Sequence, residues 1–205
     1  TTIDGVRVLN PDLPQPQYPV QPGDFMYWDR NDDGVIDTFD EGPIGRSKIP
    51  RFVYNFTFGL NFRNFDFSMM WQGVGKRDWY PAKESGYFWG QYGRPYSMAL
   101  PWHNSDRWSP TNRGAYWPRL VGYSASDSGL ILAQPNTRYV QDASYIRLKN
   151  LTIDYNFPKE LVNKIGLQAL KIYVSGENLL TFSPLKKYAK NYDPEGIYAG
   201  DADYG

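Results

Sequence analysis

The chain has no cysteine and a single histidine, His103, in 205 residues. Without cysteine there is no disulfide framework, no thiolate metal site and no cysteine nucleophile. One histidine alone supports neither a zinc centre nor a Ser-His-Asp arrangement. An excess charge of one sign is also missing, with 22 Lys+Arg against 22 Asp+Glu. A nucleic-acid binder needs a basic surplus to displace counterions, so no nucleic acid is expected as a partner. No stretch approaches the ~20 apolar residues of a transmembrane helix. Thr1-Thr2-Ile3-Asp4-Gly5 carries neither a basic n-region nor an apolar h-region, so export would require a signal peptide upstream.

Aromatic residues, by contrast, make up 17% of the chain, at a mean hydropathy of −0.60. Many rings on a polar average suit a barrel whose rings face outward and whose other residues face water. The pattern along the chain agrees. Over Arg51–Phe62, Phe52, Tyr54, Phe56, Phe58, Leu60 and Phe62 alternate with Val53, Asn55, Thr57, Gly59 and Asn61. Strict period 2 puts the first set on one face of a strand. Arg63-Asn64 reads as a tight turn, after which Phe65, Phe67, Met69 and Trp71 alternate with Asp66, Ser68, Met70 and Gln72. The two runs predict a β-hairpin.

A third strand is expected over Tyr145–Phe157, where Leu151, Ile153, Tyr155 and Phe157 share a face while Ile146 and Leu148 sit in the other phase. A bulge near Lys149-Asn150, or a change of surroundings above the bilayer, would reconcile them. Pro158 begins a short helical turn, and Leu170, Ile172 and Val174 mark a fourth strand. Residues 1–24, 73–138 and 180–205 have no sustained period and read as loops, the longest of them extracellular in a barrel. The expected fold is therefore all-β: about four antiparallel strands of a large transmembrane β-barrel with long extracellular loops. Residues 1–50 form a loop region and 51–205 the barrel strands. Four strands cannot close a barrel, the smallest bacterial ones using about eight, so the rest must come from a longer protein.

The sharpest local chemistry is Asp29-Arg30-Asn31-Asp32-Asp33-Gly34-Val35-Ile36-Asp37-Thr38-Phe39-Asp40. It matches the calcium-loop spacing D-x-[DN]-x-[DN]-G with an acid at the twelfth position. Asp29, Asn31 and Asp33 would offer side-chain oxygens and Val35 its carbonyl. Asp37 would bind directly or through water, and Asp40 would close the shell. Gly34 permits the sharp turn that makes them converge. Phe25-Met26-Tyr27-Trp28 supplies no convincing entering helix, so a structural Ca²⁺, or Mg²⁺, is expected rather than an EF-hand sensor. The competing reading is an ordinary Asp/Asn/Gly surface turn.

Taken in order, these segments resemble SusC/RagA-type TonB-dependent transporters, in their C-terminal region. Pro22-Gly23-Asp24, the acidic loop and Ile44-Gly45 lead into the aromatic strand. Then come Phe65-Asp66-Phe67-Ser68 with Gln72-Gly73, Arg107-Trp108-Ser109-Pro110-Thr111-Asn112, and Pro118-Arg119. The series ends with Ala143-Ser144-Tyr145-Ile146-Arg147-Leu148-Lys149-Asn150-Leu151-Thr152 and Tyr173-Val174-Ser175-Gly176-Glu177-Asn178-Leu179. The resemblance implies a 22-stranded barrel with a plug, in the outer membrane of a Gram-negative bacterium and in contact with its lipid. A SusD-like surface lipoprotein would act as lid, TonB would supply the energy, and oligosaccharides or peptides would be the cargo. The plug, the TonB box and the final strand would lie outside Thr1–Gly205.

Trp79, Trp89, Trp102, Trp108 and Trp117 are candidate substrate or partner contacts, because flat rings stack on sugars and anchor proteins. They would equally serve to pack the loops or form an interfacial girdle. Arg94, Arg107, Arg113 and Arg119 read as donors that fix loops, and His103 as an ordinary loop residue. Asp66, Asn55, Asn61 and Glu177 are expected on the lumen side. Two other classes compete with transport. One is a soluble carbohydrate-binding β domain with a structural calcium, which would need a second sheet over the aromatic face. The other is a glycoside hydrolase using Asp201/Asp203 or Asp106/Asp127, for which no separation is set by the sequence.

Overall fold

A computed structural model describes residues 10, 12–17, 20–82, 85–93, 97–121, 132, 134–187, 189 and 192–197, and the backbone of two short strands at 2–3 and 6–7. Arg94, Asp127, Asp201 and Asp203 lie outside the described residues. The chain divides into two compact units that interleave in sequence. One combines Thr1–Gly45 with Tyr80–Val140, the other Arg46–Trp79 with Gln141–Ala199. This differs from a cut at residue 50, because the long mid-chain loop packs with the acidic N-terminal segment.

The second unit is built on four long strands: β1 (Phe52–Phe62), β2 (Phe65–Gly75), β3 (Tyr145–Asn156) and β4 (Lys171–Phe182). They form one antiparallel sheet in the order β1-β2-β3-β4, so each strand pairs with its neighbour in the chain. Phe62 pairs with Phe65 across the two-residue turn, where Arg63 takes a left-handed φ of 54°.

The register explains the phase switch in β3. Met70 pairs with Asn150 but Trp71 pairs with Leu148, so Lys149 is an extra, bulged residue. On the β4 side Asn178 and Leu179 lie opposite the same point, between Glu177↔Asn150 and Leu180↔Leu148, and Asn178 has φ 53°. The bulge keeps the rows that start from Phe56, Leu60 and Phe62 on one face. Phe62, Phe65, Tyr155 and Ile172 form a row across the four strands, as do Leu60, Phe67, Ile153 and Val174, and Phe56, Trp71, Leu148 and Leu180. Phe56 stacks on Trp71 at 6.0 Å and Trp71 on Phe182 at 6.5 Å.

Gly73 sits beneath the Tyr54 ring, where a Cβ would lie 2.1 Å from Cζ. β4 runs on through Leu179-Leu180-Thr181-Phe182 into what reads as a polar tail. Gly176 and Asn178 dilute its alternation, which hides it from a pattern search.

The opposite face is largely polar, apart from the row of Val53, Val74 and Tyr145. Asn55, Gln72, Arg147 and Thr181 form one row, and Asn61, Asp66 and Asp154 part of another. Asn61 and Asn156 both donate to Asp66, at 2.6 and 2.8 Å. Asp66, Asn55, Asn61 and Glu177 thus share the face away from the rings.

All six outward residues of β1 remain 42–61% exposed. Among the described residues the other sheets are two-stranded and none joins this one. From Phe52 to Phe62 the ten residue steps span ~34 Å, or ~26 Å when tilted by ~40°, which matches the ~25 Å apolar band of an outer-membrane barrel.

Candidate functional site

The acidic loop begins at a buried carboxylate. Asp29 is 5% exposed, and its Oδ2 accepts the Gly34 N–H at 2.8 Å while Gly34 takes φ 83°. Asn31 Oδ1 accepts from Asp33 N at 3.1 Å, and Asp33 Oδ1 from Val35 N at 2.9 Å. The Val35–Ile36 bridge to Gln15–Pro16 holds the far side of the turn. Asp37 caps the 3₁₀ turn Thr38–Asp40, accepting the Phe39 N–H at 2.8 Å.

Asp40 closes the loop back on its start. Its oxygens accept the N–H groups of Arg30 at 2.6 Å, Asn31 at 3.4 Å and Asp37 at 2.9 Å. The Asp37 N–H, then that of Arg30, holds its carboxyl below the ordinary pKa.

The donor chemistry fits a hard cation: every candidate ligand is an oxygen, and Asp29 Oδ1 is buried with no hydrogen-bond partner. The arrangement is only part-formed. No three acidic or imidazole side chains among the described residues stand together as a metal cluster. The Asp40 carboxylate is taken up by three backbone N–H groups.

The mid-chain loop is far from structureless. It folds around short helices α1 (Gly86–Trp89) and α2 (Pro101–Ser105) into a core of rings. Phe88, Trp89, Tyr92, His103, Trp117 and Tyr139 are all at most 2% exposed. Trp117 is central: it stacks on Tyr92 at 5.7 Å and on Tyr139 at 5.3 Å, and meets Phe88 and His103 edge-on at 5.2 and 4.7 Å. Polar tips find carbonyls, with Tyr92 donating to Pro118 O at 2.8 Å and Trp89 Nε1 to Ala82 O at 2.9 Å. Burial pushes the Tyr92 hydroxyl up to about 12, and that of Tyr139 further.

His103 is a buried residue of α2 rather than an ordinary loop residue. Leu100 N–H donates to Nδ1 at 3.0 Å, which leaves Nε2 to donate to Phe88 O at 2.6 Å. Burial lowers its pKa, with the bond to Phe88 O opposing.

Three of the sequence motifs meet in this unit. Gly23, at φ 97°, lies against Trp108, where a Cβ would sit 2.5 Å from the ring. Gly23 O accepts the Arg119 N–H at 2.9 Å, and Arg119 forks onto the buried Asp24 carboxylate at 2.5 and 3.2 Å. Arg119 therefore fixes a loop, as expected. Asp106 does so too, through the Tyr116 N–H at 3.1 Å.

The five candidate tryptophans are thereby sorted. Trp89 and Trp117 are core, and Trp79 is buried against Tyr192 at 4.9 Å, so these three have no free face for a ligand. Trp108 is engaged by Gly23. Trp102 alone stays half-exposed without such packing on one of these motifs, although its Nε1 is buried and unpartnered.

Sequence reasoning missed the ion pairs of the sheet unit, since their partners are far apart in the chain. Arg46 bridges Asp78 at 2.6 Å and Asp142 at 2.8 Å. On the polar face Arg147 pairs with Asp193 and with Glu195 at 2.7 Å, and Lys149 reaches Glu195 at 2.9 Å. Arg77 donates to Pro194 O. These bonds strap residues 193–195 to the sheet.

No family model matches the chain. Two curated relatives from Formosa agariphila do. TonB-dependent receptor P26 is 32% identical over 180 residues, covering 87% of this chain and 17% of the relative. TonB-dependent receptor P3 is 35% identical over 182 residues, covering 88% and 16%. The chain thus spans about a sixth of the length of these relatives. Among solved structures, the RagAB peptide importer in its closed-closed state superposes with a TM-score of 0.56 at 20% identity, over 80% of this chain and 17% of that one. Its open-open state gives 0.52 at 21% identity, over 75% and 15%. At that identity the likeness shows the fold: antiparallel strands of a large barrel wall.

Proposed function

From the premise that the chain belongs to the SusC/RagA-type TonB-dependent receptors, and so is part of a transporter and not an enzyme, we propose that it supplies four consecutive wall strands and a loop cluster of an outer-membrane nutrient importer. The carrying observation is the apolar face that continues across β1 to β4, which among the described residues no further layer covers. Lipid would cover that face, and the polar face would line the lumen. The long loops would be extracellular, on the side where a SusD-like lipoprotein would close over the cargo. TonB and the plug would act through other parts of the receptor.

Peptides or oligosaccharides are the cargo classes, and the naming of RagAB as a peptide importer favours peptides only by shared fold. The test is fractionation of the full-length receptor, followed by expression of the chain alone. The receptor should partition with the outer membrane and co-purify with a surface lipoprotein. A chain that folds cooperatively as a soluble monomer without detergent would sink the reading.

The acidic loop would hold a structural Ca²⁺ through Asp29, Asn31, Asp33, Val35, Asp37 and Asp40. The spacing, the φ of Gly34 and the unpartnered Asp29 Oδ1 support this. An all-oxygen set on a turn suits Ca²⁺ better than Mg²⁺, which demands strict octahedral geometry and keeps its waters. Binding would require Asp40 to release part of its backbone partners. Calcium titration calorimetry on the receptor should give a site that Asp33→Ala abolishes, and equal binding by both proteins would remove it.

A further inference from the structure

The connection between β3 and β4 is larger than a strand turn needs to be, and its side chains are unlike those of a solvated loop. Pro158 O accepts the N–H groups of Leu161 and Val162 at 3.0 and 3.2 Å, which starts α3 (Lys159–Asn163) one residue later than the sequence suggests. Gly166, at φ 79°, ends it, and Leu167 N–H returns to Val162 O at 3.2 Å, a Schellman-type closure. Val162 is buried and pins the turn.

Leu161, Ile165 and Leu167 point outward at 53, 66 and 45% exposure. Lys159 and Lys164 are exposed beside them, and among the described residues no carboxylate forms an ion pair with either. Glu160 is the single acid on the turn. Arg63, on the neighbouring hairpin turn, lies over Phe62 at 5.3 Å, and Asn64 bonds Asn156 O at 2.6 Å, so the two turns share one end of the sheet.

The apolar belt runs into this end. Phe65 packs on Tyr155 at 4.7 Å, and Tyr155 on Phe157 at 4.8 Å, immediately before Pro158. An apolar surface continuous with a lipid-facing belt and edged by unpaired cations has the composition of an interfacial segment. We propose that the 158–170 turn, with Arg63, seats on the phospholipid leaflet at the short-turn end of the barrel and binds anionic headgroups. Leu161, Ile165 and Leu167 enter the acyl boundary, and Lys159 and Lys164 meet the phosphates.

This rests on the membrane-wall reading, and the experiment separates the two. The full-length receptor is placed in nanodiscs of equal parts phosphatidylglycerol and phosphatidylcholine, and retained lipid is counted by native mass spectrometry. Wild type should keep phosphatidylglycerol in preference. Lys159→Gln with Lys164→Gln should lower that preference by about fivefold per lysine, and Lys159→Arg with Lys164→Arg should preserve it. Leu161→Ser with Ile165→Ser should reduce retention of both lipids.

Equal phosphatidylglycerol retention by wild type and the glutamine variant overturns the proposal. So does a result in which the substitutions loosen the plug but leave lipid unchanged, because the turn then faces protein. A receptor that does not insert at all overturns the wall reading with it.

Discussion

Phe56 and Phe58 in the sheet, and Phe88 and Trp117 in the loop unit, are rings of comparable size with opposite surroundings. The first pair keeps 47 and 45% of its surface exposed on a flat apolar face, and the second pair at most 1%. The sheet rings are spaced by two and rank across strands, so each meets only its neighbours in the row and offers its outer side to whatever lies beyond. The loop rings have no period. They come together from residues 88 to 139 and enclose one another on every side. One region leaves its aromatics on an open face, the other uses them to build a small core where no regular element supplies one.

The difference sets the sizes of substitution effects. Trp117→Ala should cost most, about 3–5 kcal/mol, because it empties the middle of the ring cluster. Proteolysis of the receptor should then open within 80–140, leaving the sheet intact, and cleavage no faster than in wild type would show that the core is not held by that ring.

Phe58→Arg should come next, at about 2–4 kcal/mol, since it places a charge at mid-height on the lipid side. Thr57→Arg, one residue away on the polar face, should cost far less. Denaturant titration in lipid vesicles compares them, and equal losses would erase the distinction between the faces.

The smallest effect belongs to pH. His103 is buried neutral with a lowered pKa, whereas the unfolded chain takes up a proton near 6.5. Its contribution is therefore complete above about 6.5 and declines as pH falls from there towards the folded value. Opening of the loop unit, followed by hydrogen exchange, should rise across that window in wild type and less steeply in His103→Gln. The sheet should not respond.

The two regions also differ in how much the sequence reveals. β1, and β2 as far as Gln72, could be read residue by residue, because alternation is a local signal and the Arg63-Asn64 turn interrupts it cleanly; the end of β2 at Gly73–Gly75 reads as loop, since its glycines carry no alternation. The shift of phase between Leu148 and Leu151 pointed to a bulge near Lys149-Asn150 or to a change of surroundings, and the register decides for a bulge at Lys149. The far half of β4 was not legible, since Gly176 and Asn178 break its alternation where it answers that bulge.

The loop core was hidden because its order is made by contacts between distant residues, such as Trp89 with Tyr139 at 5.0 Å, and not by any repeat. The motif Arg107-Trp108 was visible, but not that Trp108 packs on Gly23. In the acidic loop the spacing was plain, while the capture of Asp40 by three backbone N–H groups was not, because backbone partners leave no mark in the side-chain pattern.

Contact of the even-numbered face of β1 with lipid is tested by single nitroxide labels at successive positions from 52 to 62 of the receptor, in vesicles, through the accessibility of oxygen and of a water-soluble nickel complex. Strict alternation is expected, with 52, 54, 56, 58, 60 and 62 open to oxygen and shielded from nickel, and 53, 55, 57, 59 and 61 more open to nickel. Nickel access equal at both sets, or an alternation of the opposite phase, would rule out lipid on that face.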